Sequence, residues 1–311
     1  MHTLFLYNQL WRLPLLCCVF TIVLIPYCIR IASLMHAIDK PGALKIHSTA
    51  TPRCGGMAIF TSIIFSLILF PSILALLPVV SVIFFSASMS GIFVLGVVDD
   101  IKNLPAGKKL LWQMLCTFVV VLGLATLYRT ELIVVLPLFV YILFFTNSFN
   151  LIDGMDGLAG GLAFIAAMAL AIVAFFMRHQ VVLFFSLLLA GCAAGFLVFN
   201  SHPAKIFLGD CGSTFLGFTL AVLSGMLWLK SNNTLLFIPL LLITSVPLCD
   251  TTAVLLKRII HKKPILAGDR NHLYDMLLRK GFSMSQTLVT FYFAAILFAV
   301  LGLVIFIMFM Q

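Results

Sequence analysis

Leu132-Ile-Val-Val-Leu-Pro-Leu-Phe-Val-Tyr-Ile-Leu-Phe-Phe-Thr-Asn-Ser-Phe-Asn150-Leu-Ile-Asp153-Gly-Met-Asp156-Gly157 joins an uncharged apolar run to a block of acids and glycines. A helix needs roughly 20 apolar residues to cross a bilayer, and the stretch 132–149 is close to that length, so it predicts one span. The block that follows sets Asn150, Asp153 and Asp156 at i, i+3 and i+6. That spacing lines one side of a helix-like turn, and the glycines let a ligand come close to the backbone. Oxygen-only ligands suit Mg2+ or Mn2+ and not zinc. The plainer reading is a polar loop with turn glycines.

Outward from this stretch the same pattern recurs along the 311 residues. Apolar runs predict spans near 13–35, 54–77, 79–98, 110–128, 132–149, 160–177, 181–199, 213–229, 234–256 and 286–309. The expected fold class is all-α: a polytopic integral membrane protein with about ten transmembrane helices, an eleventh being allowed, in one domain over 1–311. The second and third spans are hardest to separate, because 55–98 carries no charge and only Pro71 and Pro78 mark a turn. A mean hydropathy of +1.20 with 9% charged residues excludes a soluble domain and a disordered chain. The eight cysteines lie mostly in apolar runs without CxxC or Cys/His spacing, so they read as small packing residues. The first run lacks a small-residue cleavage site and is expected to be a retained span.

Ten crossings place the loops 36–53, 99–109, 150–159, 200–212 and 257–285 on one face. Arg30 and these loops hold fifteen of the nineteen Lys/Arg residues; Arg12, Arg129, Arg178 and Lys230 fall on the other face. This bias follows the positive-inside rule and puts the motif-bearing loops in the cytoplasm. The net charge of +9 is then a topology signal, and no nucleic-acid partner is expected. Nine of the ten acidic residues share that face, and only Glu131 stands apart. Carboxylates near lipid are functional candidates, so a cation-dependent site opening to that side is expected.

Four other segments carry chemistry. Asp99-Asp100 closes an apolar run and is followed by Lys102, Lys108 and Lys109. Adjacent carboxylates repel unless they share a cation or a proton, and the lysines suit a phosphate held beside them; the plainer reading is an acidic turn capping the next helix. Asn200-Ser-His-Pro-Ala-Lys-Ile-Phe207-Leu-Gly-Asp210-Cys-Gly-Ser213 opens a span with an acid between glycines. Asp210 suits a metal there, helix N-terminal amides favour an anion, and Phe207 by itself reads as packing before base stacking. The segment 257–285 includes Asp269-Arg270-Asn-His272-Leu-Tyr274-Asp275, where Arg can fork onto a diphosphate and His can donate to it. In the first loop Lys45 and Arg53 read as phosphate contacts or topology signals. Asp250 reads equally as a structural hydrogen-bond partner or a catalytic acid.

Taken in order, the DD pair, the NxxDGxDG block, the Asn-to-GDxGS block and the DRxH loop resemble the polyprenyl-phosphate N-acetylhexosamine-1-phosphate transferases, the superfamily of MraY, WecA and TagO. The resemblance runs from Asp39 to about Gly281 and is nearest the WecA and TagO branch. It implies transfer of an N-acetylhexosamine-1-phosphate, GlcNAc-1-phosphate first, from a UDP-sugar to undecaprenyl phosphate. UMP is released, Mg2+ or Mn2+ assists, and a lipid-linked cell-envelope glycan of O-antigen, enterobacterial common antigen or teichoic acid type is begun. The implied catalytic residues are Asp99, the base that keeps the lipid phosphate ionised, Asp100 and Asp210. Asn150 and Asp210 are the implied metal ligands, and Lys109 the implied lipid-phosphate contact. Asp153, Asp156, Asn200 and Phe207 fall on the nucleotide side, and Arg270 and His272 on the diphosphate and sugar. The implied location is the bacterial inner membrane with the site facing the cytoplasm, and a homodimer is allowed.

The chain departs from the family at one place. MraY enzymes carry a His triplet and the WecA and TagO branch a His-x-His-His run, whereas here His272-Leu-Tyr274-Asp275 keeps only the first His. This argues against muramoyl-pentapeptide transfer and leaves UDP-QuiNAc or UDP-FucNAc as alternative donors. The rival classes are an intramembrane prenyltransferase, which would show DDxxD-like repeats, and a transporter, which would place charges near mid-membrane.

Overall fold

A computed structural model describes residues 12–40, 42, 49–231, 233–264 and 271–310. The chain runs α1 Arg12–Leu34, β1 Ile38–Asp39, β2 Thr51–Pro52, α2 Gly55–Leu69, a 3-10 turn Pro71–Leu76, α3 Val79–Lys102, α4 Ala106–Tyr128, α5 Leu132–Leu151 and α6 Leu158–Phe176. It continues with α7 Gln180–Asn200, α8 Gly209–Ser231, a 3-10 turn Thr234–Leu236, α9 Phe237–Ile243, α10 Ser245–Ile260, α11 Leu273–Arg279 and α12 Met284–Met310. The two strands pair antiparallel, Ile38 opposite Pro52 and Asp39 opposite Thr51. The expected all-α membrane architecture is what the chain adopts. Among the described residues eight helices are long and apolar enough to cross a membrane, or nine if α9 and α10 with their preceding turn form one bent span.

Two of the ten expected spans are not simple rods, and proline accounts for both. The run at 54–77 forms a helix only to Leu69, because Phe70 precedes Pro71 and takes an extended φ of −124°; a residue before proline is driven out of the helical region. The run at 234–256 bends by 83° between Ile243 and Ser245. Pro247 has no N–H to give the Ile243 carbonyl, so the helical ladder cannot continue through Thr244. Thr244 steadies the bend, donating to the Leu240 carbonyl at 3.0 Å and meeting the Tyr141 hydroxyl at 3.2 Å.

The helix α8 is the axis of the bundle. From Cys211 to Leu229 every residue is buried, against α2, α3, α5 and α6. The outermost helix, α12, instead shows Val289, Phe293, Leu297, Val300 and Met308 to the exterior, as lipid-facing residues must be. A Cβ on Gly56 would overlap the backbone of Gly212, so α2 and α8 cross at a glycine contact that no larger residue fits. Short polar side chains join α1 to α2: Thr21 donates to Ser62 at 3.0 Å, and Cys17 lies 3.0 Å from the Ser66 hydroxyl. Small and polar residues are what hold helices together in lipid.

Because the helices alternate in direction, the ends carrying Asp99, Lys109, Asn150, Gly157, Asn200, Asp210 and Met284 gather at one end of the bundle. The other end is tied by Tyr128 and His179, 2.6 Å apart. Burial, then Lys230, pushes His179 down to about 4, so the ring that meets the tyrosine hydroxyl is neutral.

Candidate active site

The gathered helix ends enclose a cavity of about 560 Å³, within the range of small-molecule sites. Its deep end is built on Lys109, from the first turn of α4. The Lys109 ammonium lies 2.5 Å from Asp210 Oδ1, 2.7 Å from Asp99 Oδ2 and 3.4 Å from Asn150 Oδ1. Asn150 turns its amide nitrogen to Asp210 at 2.6 Å and to the Ser213 hydroxyl at 2.7 Å. Four helices thus bring their polar ends to one point, from positions up to 111 residues apart in sequence (Asp99 to Asp210).

The paired acids divide. Asp100 is buried, and its two oxygens accept the backbone N–H groups of Asp210 at 2.8 Å and Cys211 at 3.0 Å. It holds the N-terminus of α8, two donors that the helix itself cannot satisfy. Gly209, at φ +75°, makes the entry to that helix against the Asp100 carboxylate. Asp99 accepts from Leu104 N–H at 2.7 Å and pairs with Lys109. It does not line the cavity; Asp100, Lys109, Asn150 and Asp210 do.

Three of the residues assigned to the nucleotide side also serve the framework. Asn200 accepts from Gly157 N–H and donates to the Ile206 carbonyl, both at 2.9 Å, tying the 153–157 turn to the 201–207 loop. Asp156 accepts from Ala204 N–H at 3.1 Å and lies 2.8 Å from His202 Nδ1. Phe207 is on the cavity wall while its backbone bridges to Pro52 and Gly55. Arg53 donates to Asn103 at 2.9 Å and stands 3.9 Å from Asp39, placing a guanidinium on the wall. Lys45, Asp269 and Arg270 lie outside the described residues.

Asp153 differs from these. It lines the cavity with no hydrogen-bond or ion-pair partner among the described residues. Burial raises its carboxyl well above the usual range, and Asp210, Asp100 and Asp156 add to the effect in that order. An acid in that state is ready to take up a cation.

His272 is the expected contact that the structure turns away from the cavity. Its ring is buried 2.6 Å from Asp250, and the wall at this point is formed by Tyr274 and Asp275. Sequence reasoning did not assign those two, nor His202 and Ser213, which also line the cavity. Each lies within or beside a quoted motif, and that proximity was the available signal.

The donor set fits a divalent cation. Asp210, Asn150, Asp153 and Ser213 offer oxygens to one cavity, and oxygen donors are what Mg2+ and Mn2+ take. An ammonium already rests among the oxygens of Asp99, Asp210 and Asn150, so the nest attracts positive charge. A second cluster, Cys54, Asp100 and Cys211, has ligand atoms within 4.8 Å. Its only carboxylate is engaged by two backbone amides, so it is a poor place for a hard cation.

Residues 80–227 match the family model described as glycosyl transferase family 4. The chain is 34% identical over 303 residues to "Probable undecaprenyl-phosphate N-acetylglucosaminyl 1-phosphate transferase" of Bacillus subtilis, covering 91% of this chain and 81% of that one. It is 30% identical to "Decaprenyl-phosphate N-acetylglucosaminephosphotransferase" of Mycobacterium leprae, covering 84% and 75%. It is 33% identical to "Phospho-N-acetylmuramoyl-pentapeptide-transferase" of Halalkalibacterium halodurans, covering 82% and 83%.

Proposed function

The chain belongs to glycosyl transferase family 4, the membrane enzymes that move a sugar phosphate onto a polyprenyl phosphate, and from that premise we propose that it transfers N-acetylglucosamine-1-phosphate from UDP-GlcNAc to undecaprenyl phosphate. The observation that carries the reading is the nest of Lys109, Asp99, Asp210 and Asn150 at the floor of a cavity at the helix ends. An acceptor whose tail stays in lipid presents its phosphate at that level. The Lys/Arg bias supports a site on the cytoplasmic side of the bacterial inner membrane.

In this reading an oxygen of the acceptor phosphate attacks the sugar-bearing phosphorus of the donor. A new phosphorus–oxygen bond forms, the bond to the bridging oxygen breaks, and UMP leaves with that oxygen. Both partners are anionic, so offsetting their repulsion is the main task. Asp210 and Asn150 would hold Mg2+ or Mn2+, with Asp153 beside them; the ion supplies charge neutralisation on the two phosphates. Lys109 binds the acceptor phosphate. Asp99 acts on that phosphate through Lys109, whose ammonium it orients, and not from the cavity wall. Phe207 and Arg53 face the donor. Asp100, Asp156 and Asn200 keep the wall in shape.

Tyr274 and Asp275 on the wall favour a second reading in which the donor is UDP-QuiNAc or UDP-FucNAc, since they stand where the WecA and TagO branch has histidines. Purified protein incubated with undecaprenyl phosphate, Mg2+ and each UDP-sugar in turn decides between them. UMP and a lipid-linked product are expected with UDP-GlcNAc. No product with any UDP-N-acetylhexosamine would sink the assignment.

A further inference from the structure

Asp250 lies in the second turn of α10, with no exposed surface. A buried carboxylate is costly unless hydrogen bonds satisfy it, and this one has two, both to a single short segment. Oδ2 lies 2.6 Å from His272 Nδ1, and Oδ1 accepts the Leu273 N–H at 2.7 Å. A carboxylate accepts, so Nδ1 carries the hydrogen, which fixes the tautomer of the ring. The His272 ring then stacks on Tyr274, centroids 5.4 Å apart and planes 5° apart. Tyr274 and Asp275 line the cavity; Asp250 and His272 do not. On the far side of Tyr274 is Gly154, where a Cβ would overlap the phenol, so the tyrosine is also fitted to the turn that carries Asp153 and Asp156.

We infer that Asp250 is a positioning residue that sets the Tyr274–Asp275 wall of the cavity through His272, an inference that rests on the transferase reading above. The chain of contact runs from α10 through the imidazole to the phenol, and the nest of Lys109 and Asp210 is no part of it. Loss of the carboxylate would therefore affect the substrate that meets this wall and spare the one that meets Lys109. Asn at 250 keeps an acceptor for Leu273 but sets an amide N–H against the Nδ1–H of His272, donor facing donor.

The test uses full-length protein in detergent, with UMP release measured against UDP-GlcNAc and against undecaprenyl phosphate separately. Leaving a buried donor unpaired is expected to raise the donor KM on the order of tenfold in Asp250→Asn, with the acceptor KM within about twofold of wild type. His272→Ala is expected to show the same donor-selective change, and the double variant to be no worse than the worse single one. Equal losses for both substrates, or effects that multiply in the double variant, would overturn the inference. If Asp250→Asn does not accumulate in the membrane, Asp250→Glu and His272→Ala carry the comparison, and an unchanged donor KM in both refutes it. Wild-type protein that turns over no donor refutes the transferase reading instead, so the two failures are told apart.

Discussion

The deep end and the rim of the cavity are built on different principles. At the deep end Lys109, Asp99, Asp210 and Asn150 come from helix ends and meet within 3.4 Å, one ammonium set between two carboxylates. At the rim Asp153 has no partner among the described residues, while Asp156 and Asn200 engage neighbouring loops, and Asp250 with His272 braces the wall from behind. The deep end is only partly neutralised before substrate arrives, one ammonium facing two carboxylates, and that ammonium is offered to phosphate when it does. Among the described residues Asp153 is left without a cationic partner, the condition under which a cation or a donor substrate completes it. Similar motif residues thus do opposite work: some hold the frame so that a few can stay open.

The sharpest way to break this contrast is Lys109→Met. Removing the Lys109 ammonium at the deep end is expected to lower kcat/KM for the acceptor by about 10²–10³, read as UMP release; a loss confined to donor KM would place the acceptor elsewhere. Next is Asp100→Ala, which frees two buried N–H groups at the start of α8. A cost of about 2–3 kcal/mol is expected, seen as a lowered unfolding midpoint in detergent, whereas an unchanged midpoint would return Asp100 to a purely chemical role. Gly154→Ala would push Tyr274 from its seat, raising donor KM by about fivefold to tenfold with acceptor KM unchanged.

The smallest effect tests the rim by pH. Asp153 has its carboxyl raised in the folded chain, so its contribution to stability is full below the unfolded value of about 4 and is lost as pH rises through the folded value. Asp153→Asn removes that loss. The ligand-free variant is expected to melt about 2–4 °C above wild type at pH 8 and level with it near pH 4. A variant less stable than wild type at pH 8 would mean that Asp153 has a stabilising partner.

The sequence made the spans and the grouping of the acids readable, because apolar length and Lys/Arg bias are local signals. Asn150 and Asp153 were readable as oxygen donors for the same reason. Asp100 was not readable as the anchor of α8, since its partners are 110 and 111 residues away. His272 looked like a contact from its place in the loop; only the packing of α10 shows that Asp250 turns it inward. The bend before Pro247 was hidden by an apolar run long enough to read as one helix.

The most direct test is a side-by-side time course of UMP release by wild-type and Asp210→Asn protein with UDP-GlcNAc, undecaprenyl phosphate and Mg2+. Steady release by wild type and at least a hundredfold slower release by the variant, with equal amounts of both in the membrane, is predicted. Near-equal rates would show that the nest at the helix ends is not where the phosphate is transferred.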